Sequence, residues 1–352
     1  MSKESKPSIV LNCPLPTLDF DVITMGHGSG GLLTHQLLES GVFKVLKNEH
    51  LDQQHDGAIL DLPGRIAFTT DSYVVSPIFF PGGNIGDLAV NGSVNDLAMC
   101  GAIPRFLSLS FILEEGLKMT DFWEILLSIK IASENAGVTI VTGDTKVVEK
   151  GKGDGIFINT SGIGVIHSRA NIQASRIQTG DQIIMSGPMA AHGVAILSKR
   201  KGIEFETTIQ SDTFAVNHLV KLLLDQFGDA VHFLRDPTRG GMATVLNEIA
   251  AQCQLGIAVE QKSIPIDEQV EGACELLGLD PMYVANEGIF MAVVRGDVAD
   301  EVVAMLRHAG SMHAAVVGTV TDAHPGKVVL TTRIGGRRVV NYLTGEQLPR
   351  IC

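Results

Sequence analysis

The first half of the chain carries aspartates where strands are predicted to end, helices to begin or the chain to turn. They are Asp56, Asp71, Asp87, Asp96 and Asp144. Carboxylate oxygens are the ligands that Mg²⁺ prefers, and a protein-bound Mg²⁺ commonly completes its shell with substrate phosphates and water. A single aspartate can equally cap a helix or close a turn. As a group they indicate a site where a metal ion bridges carboxylates to a phosphate.

Residues 26–31 form a glycine loop, Gly-His-Gly-Ser-Gly-Gly, between a predicted strand (20–25) and a predicted helix. Backbone N–H groups at such a helix start can cradle an anion. The spacing also matches the dinucleotide fingerprint, but that fold needs a second strand with an acidic residue roughly 20 positions on. Here residues 48–57 are polar instead. A glycine turn that only packs a helix closely remains an alternative, and the chain has no Walker loop.

The second half offers one basic loop and two further candidates for proton transfer. Residues 235–241, Arg-Asp-Pro-Thr-Arg-Gly-Gly, combine two guanidinium groups with a helix start, which suits phosphate oxygens. Asp236 either caps that helix and pairs with an arginine or takes part in catalysis. His192 and Glu287 are predicted to lie in turns, where each is either a general base or an ordinary polar loop residue.

The five cysteines, at positions 13, 100, 253, 274 and 352, include no C-x-x-C pair. Reduced thiols are therefore expected. Cys100 and Cys253 lie among small and apolar neighbours, which predicts buried, inert thiols. Cys352 differs because it is the last residue, although a terminal cysteine can also be an accident of where translation stops.

Composition excludes several classes of protein. A net charge of −12 opposes binding to a phosphate backbone, so no nucleic-acid partner is expected. Residues 1–16 lack the apolar core of a secretory signal, and no apolar run approaches the ~20 residues that span a bilayer. The sequence predicts a cytoplasmic protein without a membrane partner.

Strand and helix patterns alternate along 352 residues, which predicts an α/β (α+β) protein of two domains. Strands are predicted at 65–75, 105–113 and 138–145, and helices at 86–101 and 121–137. The predicted domains are a leader (1–19), an N-terminal domain (20–168), a C-terminal domain (169–340) and a flexible tail (341–352). In the C-terminal domain, strand 181–187 and the turn GPMAAHG precede helices at 213–227, 242–254, 267–278 and 297–309. The last three helices are each followed by a predicted strand, GIAVEQ, IFMAVV and AAVVGTV in turn.

Several separate loops, in order, resemble the HypE family of hydrogenase maturation factors. The matching segments are GHGSGG (26–31), TTDSYVVSPIFFPGGNIGDLAVNGSVNDLAMCGAIPR (69–105), FILEEGLKM (111–119), IVTGDTKVV (140–148), RDPTRGG (235–241), CELLGLD (274–280), ANEG (285–288) and PRIC (349–352). This family shares a superfamily with aminoimidazole ribonucleotide synthetase and selenophosphate synthetase. The resemblance implies the two-domain fold of that superfamily, ATP binding without a P-loop, and a homodimer.

The resemblance also implies roles for individual residues. ATP and phosphate would contact Gly28, Ser29, Gly30, Gly31, Asp56, Asp71, Asn95, Asp96, Gly143, Asp144, Thr145 and Arg239, with Mg²⁺ on Asp56, Asp71, Asp96 and Asp144. Cys352 would accept a carbamoyl group from the carbamoyltransferase HypF. ATP-dependent dehydration would then turn the thiocarboxamide into a thiocyanate, with Glu287, His192 and Asp236 as candidate bases, Glu287 first. The HypC–HypD complex would take the cyanide for the iron of nickel–iron hydrogenase.

Three other readings fit parts of the sequence. Selenophosphate synthetase would need a reactive cysteine or selenocysteine in the glycine-rich segment, where this chain has Ser29. Aminoimidazole ribonucleotide synthetase has no use for a terminal cysteine. A non-catalytic assembly factor that binds ATP would use the tail only for docking, and its ATP turnover would survive Cys352→Ala.

Overall fold

A computed structural model describes residues 20–54, 57–203, 209–343 and 350–352. The predicted leader, Asp56 and half of the predicted tail (344–349) therefore lie outside the described residues. No helix in the described ranges has the length and apolar character needed to cross a membrane.

The N-terminal half folds around a four-stranded sheet backed by two long helices. Its elements in chain order are α1 (Leu32–Leu37), α2 (Phe43–Val45), β1 (Ile66–Tyr73), β2 (Phe79–Phe80), β3 (Gly83–Asn84), α3 (Ile85–Met99), β4 (Ala102–Glu114), α4 (Met119–Ala136), β5 (Thr139–Val148) and β6 (Ile156–Ile166). The strand order is β1-β6-β4-β5, with only β4 and β5 parallel. A separate short hairpin pairs β2 with β3.

The C-terminal half folds around a seven-stranded sheet. Its elements are β7 (Gln182–Met185), α5 (Ala191–Lys201), α6 (Asn217–Phe227), β8 (Val231–Arg235), α7 (Gly241–Cys253), β9 (Gly256–Glu260), α8 (Glu268–Leu277), β10 (Met291–Val294), α9 (Ala299–His308), β11 (Ala315–Thr321), β12 (Val328–Thr331) and β13 (Arg337–Val340). The strand order is β13-β12-β9-β11-β7-β10-β8. These two sheets with covering helices confirm the predicted mixed α/β class.

Single helical turns and one irregular segment connect these elements. The 3-10 turns are Met25–Gly28, Leu51–Gln53, Ala174–Arg176, Gly228–Ala230, Gln261–Ser263, Pro281–Tyr283 and Gly296–Val298, and Leu38–Val42 is a π-helical segment.

Helix α3 is the element that joins the two halves. Its start is fixed by Asn84, whose side chain accepts from the N–H of Gly86 at 2.8 Å, while Asp87 accepts from the N–H of Asn84 at 2.6 Å. Thirteen of its fifteen residues are buried, because the sheet, α4 and the C-terminal half surround it. A helix buried on all sides holds its polar residues in fixed positions.

Four local predictions from the sequence were wrong. Residues 20–25 form no strand; Val22 makes one isolated bridge with Lys118, and a helical turn begins at Met25. The predicted turn at 187–193 is partly helix, since α5 begins at Ala191. Strands β2, β3, β6, β8, β12 and β13 lie where no strand was predicted. Cys100 is exposed rather than buried, and Cys253 is half-buried.

Candidate functional site

A cavity of about 580 Å³ lies where β1 and α3 face β8 and the loop that follows it. β1 contributes Asp71, α3 contributes Asp96, and the loop after β8 contributes Asp236 and Arg239. Glu287 and the terminal Cys352 complete the wall. One cavity therefore brings together six of the residues that the sequence singled out.

Asp71 and Asp96 form the acidic wall of this cavity. The Thr69 hydroxyl donates to Asp96 Oδ2 at 2.8 Å, and the N–H of Ser72 donates to Asp71 Oδ1 at 2.7 Å. Burial raises the pKa of Asp96, and the negative charge of Asp71 raises it further despite the Thr69 bond. Two neighbouring carboxylates with free oxygens suit a divalent cation that also contacts a phosphate.

Glu287 and Asp236 are buried carboxyl groups in the same wall. Glu287 is 4% exposed, and its Oε1 has no hydrogen-bond partner among the described residues. Burial raises the pKa of Glu287 well above its usual value, and the neighbouring Asp236 adds to the rise. Burial also raises the pKa of Asp236 to about 7. Burial therefore favours the protonated form of both carboxyl groups, and Asp236 can exchange a proton near neutral pH.

The backbone of Glu287 is held by Asp212, which the sequence did not single out, and by Asn95, which was predicted to contact ATP. Asp212 accepts from the N–H groups of Glu287 and Gly288 at 3.1 and 3.3 Å. Asn95 donates to the carbonyls of Glu287 and Phe214, and its own carbonyl accepts from Val216. Asn95 is 1% exposed, so its amide ties α3 to the C-terminal half.

The C-terminal tripeptide, residues 350–352, is docked against residues 74–76, which follow β1. The N–H of Val74 donates to a carboxylate oxygen of the terminal Cys352 at 3.1 Å, and the N–H of Ser76 donates to the carbonyl oxygen of Arg350 at 3.2 Å. Ile351 is 4% exposed and joins the N-terminal hydrophobic core. This docking brings the thiol into the cavity.

The thiol of Cys352 is protonated in this position. Burial raises its pKa to about 12, Glu287 adds to the rise and Arg239 opposes it. The guanidinium of Arg350 is engaged elsewhere, since it pairs with Asp154 and donates to the Val74 carbonyl. A buried, protonated thiol reacts slowly until a base or a conformational change exposes it.

His192 contacts the tail rather than the thiol. It is fully buried in the first turn of α5, and burial lowers its pKa to about 4. Its Nδ1 lies 2.7 Å from Ser211 Oγ and its Nε2 lies 2.6 Å from the carbonyl oxygen of Ile351.

The glycine loop lines a second, smaller pocket of about 230 Å³ beside β5. Gly28 and Gly30 contribute to its rim together with Gly143, Asp144 and Thr145, while its depth is apolar. A Cβ at Gly28 would approach the Val147 nitrogen to 2.6 Å, so this close contact requires glycine. Gly31 caps α1, and the Ser29 hydroxyl donates to the Gly26 carbonyl at 3.0 Å.

The strand register separates the predicted aspartates. Asp71 pairs with Thr160, Thr160 with Leu109, and Leu109 with Gly143, so Gly143 lies three strand spacings away, roughly 14 Å. Asp144 follows Gly143 and therefore projects from the opposite face of the sheet. There it pairs with Lys146 at 2.6 Å. Within the described ranges, no three acidic, histidine or cysteine side chains converge on one point.

The domain matches define the class of protein. The family model for the AIR synthase related protein, N-terminal domain, matches residues 54–166, and the model for its C-terminal domain matches residues 178–331. The chain thus has the fold of an AIR synthase-related protein.

Closer relatives specify the family within this class. Carbamoyl dehydratase HypE of Azotobacter vinelandii is 48% identical over 94% of this chain and 97% of its own. A crystal structure of hydrogenase maturation protein HypE in complex with ATP matches with 46% identity and a TM-score of 0.90, over 93% of this chain and 99% of the other. HypE in a crystal structure of a HypE–HypF complex matches with 42% identity and a TM-score of 0.77, over 87% and 99%. The chain belongs to the HypE family.

Proposed function

We propose that this protein is an ATP-dependent carbamoyl dehydratase that acts on its own terminal cysteine. The observation that carries the proposal is the position of the Cys352 thiol, in one cavity with Asp71, Asp96, Arg239 and Glu287. The HypE relatives named carbamoyl dehydratase support the activity. The product would be a thiocyanate on Cys352, which supplies the cyanide ligand of a nickel–iron hydrogenase.

Both pockets contribute features suited to ATP. The apolar depth of the smaller pocket suits a purine ring, and the glycine loop at its rim presents backbone N–H groups to phosphates. In the larger cavity, Arg239 matches phosphate oxygens and lies beside the acidic wall. Asp71 and Asp96 are the described residues that would hold Mg²⁺, which when bound would screen the phosphate charge. The ATP complex of a HypE relative supports this assignment.

The proposed reaction removes one water from the carbamoyl group in two stages. The carbamoyl oxygen attacks the γ-phosphorus, the bond to ADP breaks, and the oxygen becomes a phosphate ester on the thiocarboxamide carbon. Loss of one N–H proton gives an imidate. Loss of the second N–H proton and cleavage of the carbon–oxygen bond then release phosphate and leave a carbon–nitrogen triple bond on sulfur. The oxygen of the lost water leaves in the phosphate.

Glu287 is the best placed proton acceptor in the cavity. Its Oε1 has no partner to release, and burial raises its pKa, which makes the carboxylate a stronger base. Asp236 lies in the same wall, and its negative charge adds to the rise in the pKa of Glu287. His192 is turned toward the tail backbone.

A homodimer would complete the nucleotide site. The sheet face opposite α3 exposes Ile66 (55%) and Phe68 (64%) from β1 and Ile112 (44%) from β4. Apolar side chains on an uncovered sheet face indicate a protein interface. Asp144 projects from that same face, whereas Asp71 faces the cavity, so a second copy would bring the polar ends of both sheets together.

Two partners follow from the proposed reaction. A carbamoyl donor must reach Cys352, and the HypE–HypF complex of a relative supports HypF in this role. We propose the HypC–HypD complex as the cyanide acceptor, because a thiocyanate can supply cyanide to an iron ion held by another protein.

Single-turnover phosphate release tests the proposal. Protein carbamoylated by HypF and carbamoyl phosphate is separated from HypF, then mixed with ATP and Mg²⁺. We expect phosphate in proportion to the loaded cysteine, and none from a Cys352→Ser variant treated in the same way. Equal ATP turnover in both proteins would contradict the dehydratase proposal and favour an ATP-binding assembly factor.

A further inference from the structure

The docked tail leaves one backbone group that the neighbouring segment cannot satisfy. The Arg350 carbonyl and the Cys352 carboxylate accept from residues 74–76, but the carbonyl of Ile351 faces α5. Ile351 is 4% exposed, and a buried carbonyl without a donor destabilises the docked state. His192 supplies that donor.

The hydrogen bonds around His192 define its tautomer. The Ser211 hydroxyl oxygen accepts from the N–H of Thr213 at 3.1 Å, so its hydrogen is available to Nδ1 at 2.7 Å. A carbonyl oxygen only accepts, so Nε2 must carry the hydrogen that bonds to Ile351. Phe80 packs edge-on against the ring at a centroid distance of 5.7 Å and restrains it further. Neither ring nitrogen retains a free lone pair for a substrate proton.

Arg200 lies eight residues after His192 on α5 and contacts the other end of the tripeptide. One terminal nitrogen lies 2.8 Å from the Arg350 carbonyl and 2.5 Å from that of Ser76, and Nε lies 2.9 Å from the same Ser76 carbonyl. The guanidinium thereby joins the tail to the segment on which it is docked. Within residues 350–352, the hydrogen bonds that both α5 residues make go to backbone oxygens.

We propose that His192 and Arg200 are positioning residues that hold the C-terminal tripeptide by its backbone, and that His192 is not the proton acceptor of the reaction. The statement that His192 is not the proton acceptor rests on the proposed function, whereas the clamp on the tail does not. The clamp leaves the thiol and any group attached to it free to face Glu287. It also means that a donor protein must break these hydrogen bonds before it can reach Cys352.

The rate of Cys352 alkylation measures the clamp without any catalytic step. Full-length protein is treated with iodoacetamide, and modification of the C-terminal peptide is followed by mass spectrometry. Loss of one hydrogen bond to a buried carbonyl shifts such an equilibrium by about 5- to 10-fold. We expect His192→Ala to accelerate alkylation by that factor, and Arg200→Ala by less, because Ser76 still donates to Arg350. His308→Gln and Lys201→Ala, at exposed positions, are matched controls that should react like wild type.

His192→Gln separates positioning from proton transfer. A glutamine amide can donate to the Ile351 carbonyl but has no basic nitrogen. We expect it to alkylate like wild type and to retain dehydration of the carbamoylated cysteine, whereas His192→Ala should dehydrate more slowly because a smaller fraction of its tail is docked. Unchanged alkylation in His192→Ala would overturn the clamp. Slow alkylation with lost dehydration in His192→Gln would overturn the statement that His192 is not the base. If carbamoylated wild type never dehydrates, the proposed function fails, while the alkylation rates still decide the clamp.

Discussion

Ile351 provides the side-chain anchor of the docked tail, so its truncation should release the thiol. The residue is 4% exposed and belongs to the N-terminal hydrophobic core with Tyr73, Val75 and Phe80. Ile351→Ala removes three carbons, and at about 0.8 kcal/mol for each the docked state loses ~2.4 kcal/mol. That difference corresponds to an increase of up to ~60-fold in the undocked fraction.

The assay is again alkylation of Cys352, because the docked thiol, with its pKa raised to about 12, reacts far more slowly than a thiol in solvent. We expect a large acceleration in Ile351→Ala and none in Ile334→Ala, where the side chain is 96% exposed. Dehydration of the carbamoylated protein should slow in Ile351→Ala, while carbamoylation should not. An alkylation rate equal to that of wild type would refute the reasoning that burial of Ile351 keeps the thiol in the cavity.

Three further predictions concern other parts of the site. Glu287→Gln should still accept a carbamoyl group but should not dehydrate it, as mass spectrometry of the tail would show; Glu301→Gln, at an exposed position, is the control, and dehydration in Glu287→Gln would contradict the assignment. The folded state raises the pKa of Asp236 to about 7, so it keeps a proton that the unfolded chain releases near pH 4. This contribution to stability is present below pH 4 and is lost as the pH rises to 7. The free energy of unfolding, measured in urea, should therefore fall between pH 4 and pH 7 by up to about 4 kcal/mol less in Asp236→Asn than in wild type. An equal fall in both proteins would contradict the assigned burial of Asp236. Phe68→Glu should convert a dimer to monomers, as sedimentation velocity would show. Leu276→Glu, at another exposed apolar position, is the control and should remain a dimer. A dimer in both variants would place the interface elsewhere.

The sequence predicted the elements that carry a strong local pattern. The alternation at 65–75 gave β1, and the periodicity at 86–101 and 121–137 gave α3 and α4 within a few residues. The predicted turn at 187–193 was wrong because glycine and alanine suggested a loop. In the structure, Ala190 adopts a left-handed conformation with φ of 76°, and α5 begins immediately after it.

Part of the functional site could also be predicted from the sequence. Asp71, Asp96, Asp236 and Glu287 were singled out as candidates in the sequence, and the fold brings them into one cavity. The sequence could not show that Asp144 projects from the other face of the sheet, since that depends on strand register. It also could not identify Arg200, whose contacts with the tail span 150 positions.

The mass of the C-terminal peptide tests the central claim most directly. Full-length protein is incubated with HypF, carbamoyl phosphate, ATP and Mg²⁺, and Cys352→Ala is treated in parallel. The account predicts that Cys352 gains one carbamoyl group, which then loses one water only when ATP and Mg²⁺ are present. An unmodified Cys352 beside demonstrably active HypF, or a carbamoyl group that never loses water, would contradict it.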